Sequence, residues 1–177
     1  WTVRAEAIMA RIILQPRKAR PFFHRHPWVF AGAIARIEGP VADGDPVAVY
    51  SHTGQFIAHG LYNSRSKIRV RLYSWEEAVP LDPAFFRQRL AQAVRLRRAL
   101  SYGEAPEGGC RLVFSEADFL SGLVVDRYGP WLVMQLSALG LAQRRDWLVE
   151  ALRELVPMRG LYLRAEKGIG VLEGIDL

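Results

Sequence analysis

Short runs in which apolar and polar residues alternate fill the first 75 positions, and that period predicts strands. The first run, 11–14, is short and apolar. A second candidate covers 33–37, ahead of the Gly39-Pro40 break. Val47 and Val49 alternate within 45–50 behind an Asp43-Gly44 turn, and 55–62 follows a Thr53-Gly54 turn. Over 68–75 the alternation sets Ile68, Val70 and Leu72 inward, with Arg69, Arg71 and Tyr73 or Ser74 outward. About five short strands at this spacing predict a small barrel. Between the first two lies 17–30, basic and aromatic, which reads as a short helix and a tight turn.

The pattern changes after a linker at 78–83. Asp82 and Pro83 supply an N-cap acid and a proline for the first helical position. The helix they open carries an apolar stripe of Phe86, Leu90, Val94, Leu96 and Leu100, with Arg87, Arg89, Arg95, Arg97 and Arg98 on other faces, read first as solvated charges and alternatively as a basic track for a polyanion. A glycine-rich stretch at 103–109 ends it. Strands are expected at 111–115, 123–126 and 131–136, the last two joined by Arg127-Tyr128-Gly129-Pro130. A second helix at 141–155 has Leu141, Leu148, Leu152 and Leu155 in register, and 160–164 is a final strand. The predicted fold class is α+β: a small mixed β pseudo-barrel (9–75), then a small α/β domain with two helices and about four strands (78–165). Residues 166–177 form a connector. Residues 1–8 precede Met9-Ala10, itself a sensible start, and read as an upstream extension.

Half of the 177 residues are apolar, enough for a real core, and no run approaches the ~18–20 apolar residues of a membrane span. Cys110 stands alone, which excludes an internal disulfide and a cysteine-cluster metal site, so a cytoplasmic protein is expected. The charge is uneven. Residues 1–75 hold 11 Lys/Arg against 4 Asp/Glu, a net of +7, whereas 76–177 hold 13 against 14, a net of −1. Arginine dominates: the lysines are Lys18, Lys67 and Lys167. Its planar fork suits phosphate contact and stacking on bases. Net charge alone serves solubility, but its concentration in one β-rich segment points to nucleic acid.

Two segments carry a family resemblance. His26-Pro27-Trp28-Val29-Phe30-Ala31-Gly32 is preceded by Lys18, Arg20 and Arg25. Gly44-Asp45-Pro46-Val47-Ala48-Val49, Ala58-His59-Gly60-Leu61-Tyr62-Asn63 and Ile68-Arg69-Val70-Arg71 follow. Together they resemble the PUA domain at the front of bacterial S-adenosylmethionine-dependent 23S rRNA cytosine-C5 methyltransferases. Residues 111–118 and 122–129 resemble that family's central β/α domain, and depart from it at Phe119-Leu120-Ser121, where Gly-Leu-Pro is more usual. Leu161-Tyr162-Leu163-Arg164 and Glu173-Gly174 resemble the stretch ahead of its Rossmann-type catalytic domain. The resemblance implies structured RNA, 23S rRNA, as partner and S-adenosylmethionine as cofactor of the full-length protein. None of the family's catalytic motifs is present here, so this chain alone is expected to be inactive and to hold no cofactor.

The candidate RNA ligands form two groups. Arg17, Lys18, Arg20, Arg25 and His26 cluster with Phe22, Phe23 and Trp28; the cations would meet phosphates and an exposed ring could stack on a base. Trp28 and Phe30 themselves read as core residues. The second group, Asn63, Arg65, Lys67, Arg69 and Arg71, lies on a loop at the barrel rim and on the strand after it; the bland reading is a solvated edge that discourages strand pairing. His24 and His26 have no third ligand nearby, so no metal is expected. Cys110 reads as a small buried residue, not a nucleophile. Glu116, Asp118 and Asp126 read as turn caps and partners for arginines such as Arg127. Glu166 to Gly174 fits E-x-G-x-G-x-x-x-G, a methyl-donor loop pattern, but only three residues follow it, and a flexible connector is the better reading.

These readings converge on the RNA-recognition portion of an rRNA (cytosine-5) methyltransferase. The alternatives are a stand-alone PUA-type RNA-binding module and a scaffold whose basic face meets acidic proteins. No membrane contact is expected, and a homodimer is among the assemblies the sequence allows.

Overall fold

The computed structural model describes residues 9–100, 108–164 and 167–176. The extension read at 1–8, most of the glycine-rich stretch at 103–109, and Glu166 lie outside the described residues.

The front of the chain forms β1 (Ala10–Leu14), a one-turn helix α1 (Arg20–Phe23), β2 (Trp28–Phe30), β3 (Ile34–Glu38), β4 (Pro46–Tyr50), β5 (Phe56–Tyr62) and β6 (Ile68–Ser74). Their six strands make one curled sheet, a half-barrel, in the order β2-β6-β5-β4-β1-β3. β1 runs parallel to β4; the other pairs are antiparallel. Ile12, Leu14, Val29, Val47, Val49, Val70 and Leu72 fill its interior, and Phe22 plugs it from α1. Val47, Val49, Val70 and Leu72 take the inward positions that the alternation assigns, but the positions between them are not solvated: Ala48, Tyr73 and Ser74 are buried, because the outer face of this sheet is covered in part as well. β2 was not anticipated. At three residues, Trp-Val-Phe, it is too short and too uniformly apolar to show a period.

The rest of the chain forms α2 (Pro83–Ala99), β7 (Gly109–Phe114), β8 (Leu123–Tyr128), β9 (Trp131–Leu136), α3 (Leu139–Ala142), α4 (Arg145–Leu155), β10 (Gly160–Arg164) and α5 (Lys167–Glu173). The second sheet has the order β10-β9-β8-β7, with β10 parallel to β9. Leu112, Val113, Leu123, Val125, Leu132 and Met134 share one core with Phe86, Leu90, Val94, Leu148 and Leu152 from α2 and α4. The helix read as 141–155 is broken into α3 and α4. Residues 167–173, read within an irregular connector, form α5.

Asp82 caps α2 as its position predicts, its side chain accepting from the Phe85 amide at 2.7 Å. The apolar stripe is shorter than expected. Phe86, Leu90 and Val94 are buried, but Leu96 and Leu100 are 50% and 53% exposed. Helical spacing brings position 97, not 96, back to the face of Ala93 and Val94. There the Arg97 guanidinium forms a bidentate pair with Asp118, the two side chains only 11% and 5% exposed. Asp126 pairs with Arg111, while Arg127 donates to the Gly129 carbonyl, so neither acid takes Arg127 as its partner. The α2 arginines also serve tertiary contacts beyond solvation: Arg87 meets Glu154, and Arg98 donates to the Leu155 carbonyl.

The two sheets share packed surface. Leu61 and Tyr73 of the half-barrel belong to the core of the second unit. A Cβ on Gly140 would come within 2.7 Å of Leu61 Cβ, so glycine is what allows α3 to touch β5. Gly44 answers two demands. Its φ of +93° makes the turn into β4, and Gln143 lies where its side chain would stand. Gln143 donates to the Asp43 carbonyl and Arg144 to the Gly44 carbonyl.

Candidate nucleic-acid interface

α1 is a single turn, yet it is held firmly. Phe22 is buried beneath it, and the Trp75 indole donates to the Phe22 carbonyl at 2.7 Å. Arg17 and Arg25 stand on either side with φ of +65° and +64°, a left-handed conformation that costs a non-glycine residue on the order of 1–2 kcal/mol. Turn hydrogen bonds from the Arg25 amide to the Phe22 carbonyl and from the His26 amide to the Pro21 carbonyl hold the second of these. Arg17, Lys18, Arg20 and Arg25 thus gather around one rigid turn. All four are exposed, and none makes an ion pair among the described residues. Four uncompensated cations on a fixed scaffold form a surface for a polyanion.

An edge-to-face series of rings borders them, Phe22 to His26 to Trp28 to Phe30, with centroids 6.1, 6.0 and 6.5 Å apart. His26 is exposed, and its Nδ1 accepts from the Trp28 amide at 3.3 Å. Trp28 is half-buried; its Nε1 donates to Glu116 Oε1 at 2.9 Å and Ser121 Oγ at 3.1 Å. Phe30 departs from the core reading: it is 46% exposed. Alternation about Val29, which is fully buried, puts residue 30 on the outer face of the short edge strand β2. Phe23 is exposed as well.

The second predicted group divides. Arg65 and Lys67 are exposed at the rim, Arg65 lying against Gly174. Arg69 is half-buried and donates to the Asn63 carbonyl at 3.4 Å. Asn63 is buried, and its Nδ2 donates to the Glu173 carbonyl at 2.9 Å and to Glu173 Oε2 at 3.1 Å. Arg71 is 11% exposed at its side chain. It donates to Ser121 Oγ at 3.1 Å and to the Ser137 carbonyl and Glu173 Oε1, both at 3.4 Å, with Glu116 3.8 Å away. The face of β6 read as outward therefore meets the second sheet unit. Tyr73, on the same face, is fully buried and donates to the Ser121 carbonyl at 2.7 Å; burial pushes its hydroxyl pKa upward.

Glu116 and Glu173 were not foreseen as partners of this face. Burial alone would raise the Glu116 pKa, but hydrogen bonds from Ser115, Ser121, its own backbone and Trp28 outweigh it, and the net shift is downward. Ser66 Oγ donates to Glu173 Oε1 at 2.6 Å, completing a network that ties α5 to β5 and β6. Gly168 and Gly170 lie inside α5, where a methyl-donor site needs glycines in a loop between strand and helix, and Glu173 is committed to the half-barrel. These residues do not fit a methyl-donor loop. Cys110 sits half-buried in β7, and burial raises its thiol pKa, the opposite of an activated nucleophile. Among the described residues no three His, Cys, Asp or Glu side chains cluster as a metal site, and no helix is long and apolar enough to cross a membrane.

Comparison with known proteins accords with this geometry. Residues 12–75 match the PUA-like domain family. The chain is 36% identical over 167 residues to the ribosomal RNA large subunit methyltransferase I of Shigella boydii serotype 4 (strain Sb227), covering 94% of this chain and 42% of that protein. Against the same enzyme of Escherichia coli O1:K1 the identity is 35% with the same coverage. Among solved structures, a candidate SAM-dependent methyltransferase from Streptococcus mutans superposes with a TM-score of 0.75 at 18% identity, over 88% of this chain and 40% of that one. A second candidate methyltransferase, complexed with SAH, gives 0.75 at 18% over 91% and 41%. At that identity the likeness speaks for the fold. The chain carries a PUA-like domain and is homologous over 94% of its length to ribosomal RNA large subunit methyltransferase I, of which it spans 42%.

Proposed function

We propose that this chain is the RNA-recognising portion of a cytoplasmic, S-adenosylmethionine-dependent 23S rRNA (cytosine-5) methyltransferase. The half-barrel, about 9–75, grips structured RNA through phosphates and shape. The unit of about 78–165 holds that grip at a fixed offset from methyl-transfer chemistry carried elsewhere in the full-length protein. The observation that carries the reading is the set of four exposed, unpaired cations around α1, on a PUA-like half-barrel. Arg17, Lys18, Arg20 and Arg25 supply phosphate contacts, and His26 and Phe30 offer rings beside them. Arg65, Lys67 and the partly exposed Arg69 extend the cationic rim. Asn63 and Arg71 act indirectly, by fixing that rim against α5 and the second sheet.

Binding of a structured 23S rRNA fragment, titrated with salt beside duplex DNA of equal length, tests the proposal. RNA should be preferred, and log affinity should fall linearly with log salt. Reversing charge at Arg17, Lys18 and Arg20 should flatten that line. No binding of either nucleic acid at low salt would overturn the recognition role.

A further inference from the structure

Phe119 stands where the two sheet units meet, at the end of a 3-10 turn spanning Ser115–Asp118. Its backbone is left-handed, with φ of +58°, and its ring is 37% exposed. Three side chains from both units surround that ring. Trp75 meets it edge-on at 6.4 Å between centroids, the Arg25 guanidinium lies 6.0 Å from its centre, and the Arg89 guanidinium of α2 lies 5.5 Å away. Arg89 also lies 5.2 Å from the Phe85 ring, so its planar head rests among aromatic faces.

Neither guanidinium has an ion-pair partner among the described residues, and Arg89 makes one long hydrogen bond, to Gln92 at 3.3 Å. Burial depresses the Arg89 pKa; the Glu76 charge pulls the other way, and Arg25 depresses it further. Two like charges held against one ring, with no acid in hydrogen-bond contact, are a repulsive arrangement that an anion would relieve. Compare Arg97 and Arg111, whose guanidiniums are each neutralised bidentately by an aspartate. Arg89, apart from its one long bond to Gln92, and Arg25 keep the donors of their forks for something outside the chain.

We propose that Arg25, Phe119 and Arg89 form a clamp for the RNA phosphodiester backbone across the junction of the two units. The clamp rests on the RNA-recognition reading above and extends it. Arg25 belongs to the cationic cluster around α1, so a strand lying on that cluster runs directly onto Arg89. A nucleic-acid backbone, whose charges recur at short intervals, neutralises both arginines at once. The ring holds the two forks in place before binding, which lowers the entropy cost of ordering them. On this account the second unit touches RNA itself, through one particular arginine of a helix whose arginines the sequence reading took first as solvated charges.

The test is the salt dependence of binding to the rRNA fragment for the wild type, Arg25→Gln, Arg89→Gln, the double variant, and Arg87→Gln as a control on the same helix. Each of Arg25→Gln and Arg89→Gln should weaken binding several-fold and reduce the log–log slope by roughly 0.7–0.9, one phosphate's worth; the double should lose about twice that. Arg87→Gln should leave both unchanged. Thermal melts establish that the variants fold, and Arg89→Lys should keep most of the slope while losing affinity, because it keeps the charge and loses the fork. If wild-type binding is intact and both glutamine variants keep its slope, the clamp fails and the broader reading stands. If the wild type binds no RNA, both fail. If Arg89→Gln abolishes binding to poly-glutamate but not to RNA, the site belongs to an acidic protein and the clamp is overturned.

Discussion

The indole Nε1 of Trp28 donates to Glu116 Oε1 at 2.9 Å, joining the edge strand of the half-barrel to the turn that follows β7. Ser121 Oγ donates to the same carboxylate oxygen at 2.7 Å, and Arg71 stands 3.8 Å from it. A partly buried carboxylate that gathers donors from both units couples their stability. Trp28→Phe keeps a ring in place and removes the N–H, so it should cost about 1.5–3 kcal/mol, the range for a hydrogen bond to a charged group. A double-mutant cycle with Glu116→Gln, read by urea denaturation, should return a positive coupling between the two residues. Additive losses would mean that the contact contributes nothing of its own.

The same carboxylate sets an acid limit. Its folded pKa lies below the ordinary value of 4.5, so the folded state binds its proton less readily than the unfolded chain does. The stability it contributes is fully present above that ordinary value and is lost as pH falls through the lower, native one. The melting temperature of the wild type should therefore exceed that of Glu116→Gln at neutral pH, and the gap should narrow as pH drops below about 4. A gap that stays constant down to the acid transition would contradict the assignment.

Gly140 and Leu61 give a packing test that involves no charge. A methyl group on residue 140 would press within 2.7 Å of both Leu61 Cβ and Cδ1, in the shared core of the two units. Gly140→Ala should destabilise by about 1–3 kcal/mol despite alanine's better helix propensity. Pairing it with Leu61→Ala should recover part of the loss. Calorimetry of the four proteins measures it.

Much of this arrangement was legible in the sequence, and what was not has a common cause. The strands of the half-barrel announce themselves because one face is core throughout, and the Asp82-Pro83 helix start because capping is local. The cationic turn at 17–25 was legible because charges cluster in sequence as well as in space. The outer face of β6 was not. Arg69, Arg71 and Tyr73 alternate with core residues in the same way whether water or a second unit covers them, and their partners Glu116, Ser121 and Glu173 lie far along the chain. The outward position of Phe30 was hidden for a related reason: a three-residue strand has no period to read. Arg89 and Phe119 meet Arg25 only after α2 and the 3-10 turn are packed against the half-barrel.

Phe30 separates stacking from charge at the RNA surface. It ends a ladder of rings that begins at buried Phe22 of α1, and nearly half of it faces solvent. Its inner edge packs on Trp28, and an unpaired base stacked on the exposed remainder of such a ring gains about 1–3 kcal/mol. Phe30→Ala should therefore weaken binding of a fragment with unpaired bases by roughly 5- to 150-fold, while leaving the slope against log salt unchanged, since no phosphate contact is removed. A fully paired duplex RNA should show no such loss. Equal losses on both RNAs would point to a distorted β2, and an unchanged affinity on both would leave the cations as the whole of the recognition surface.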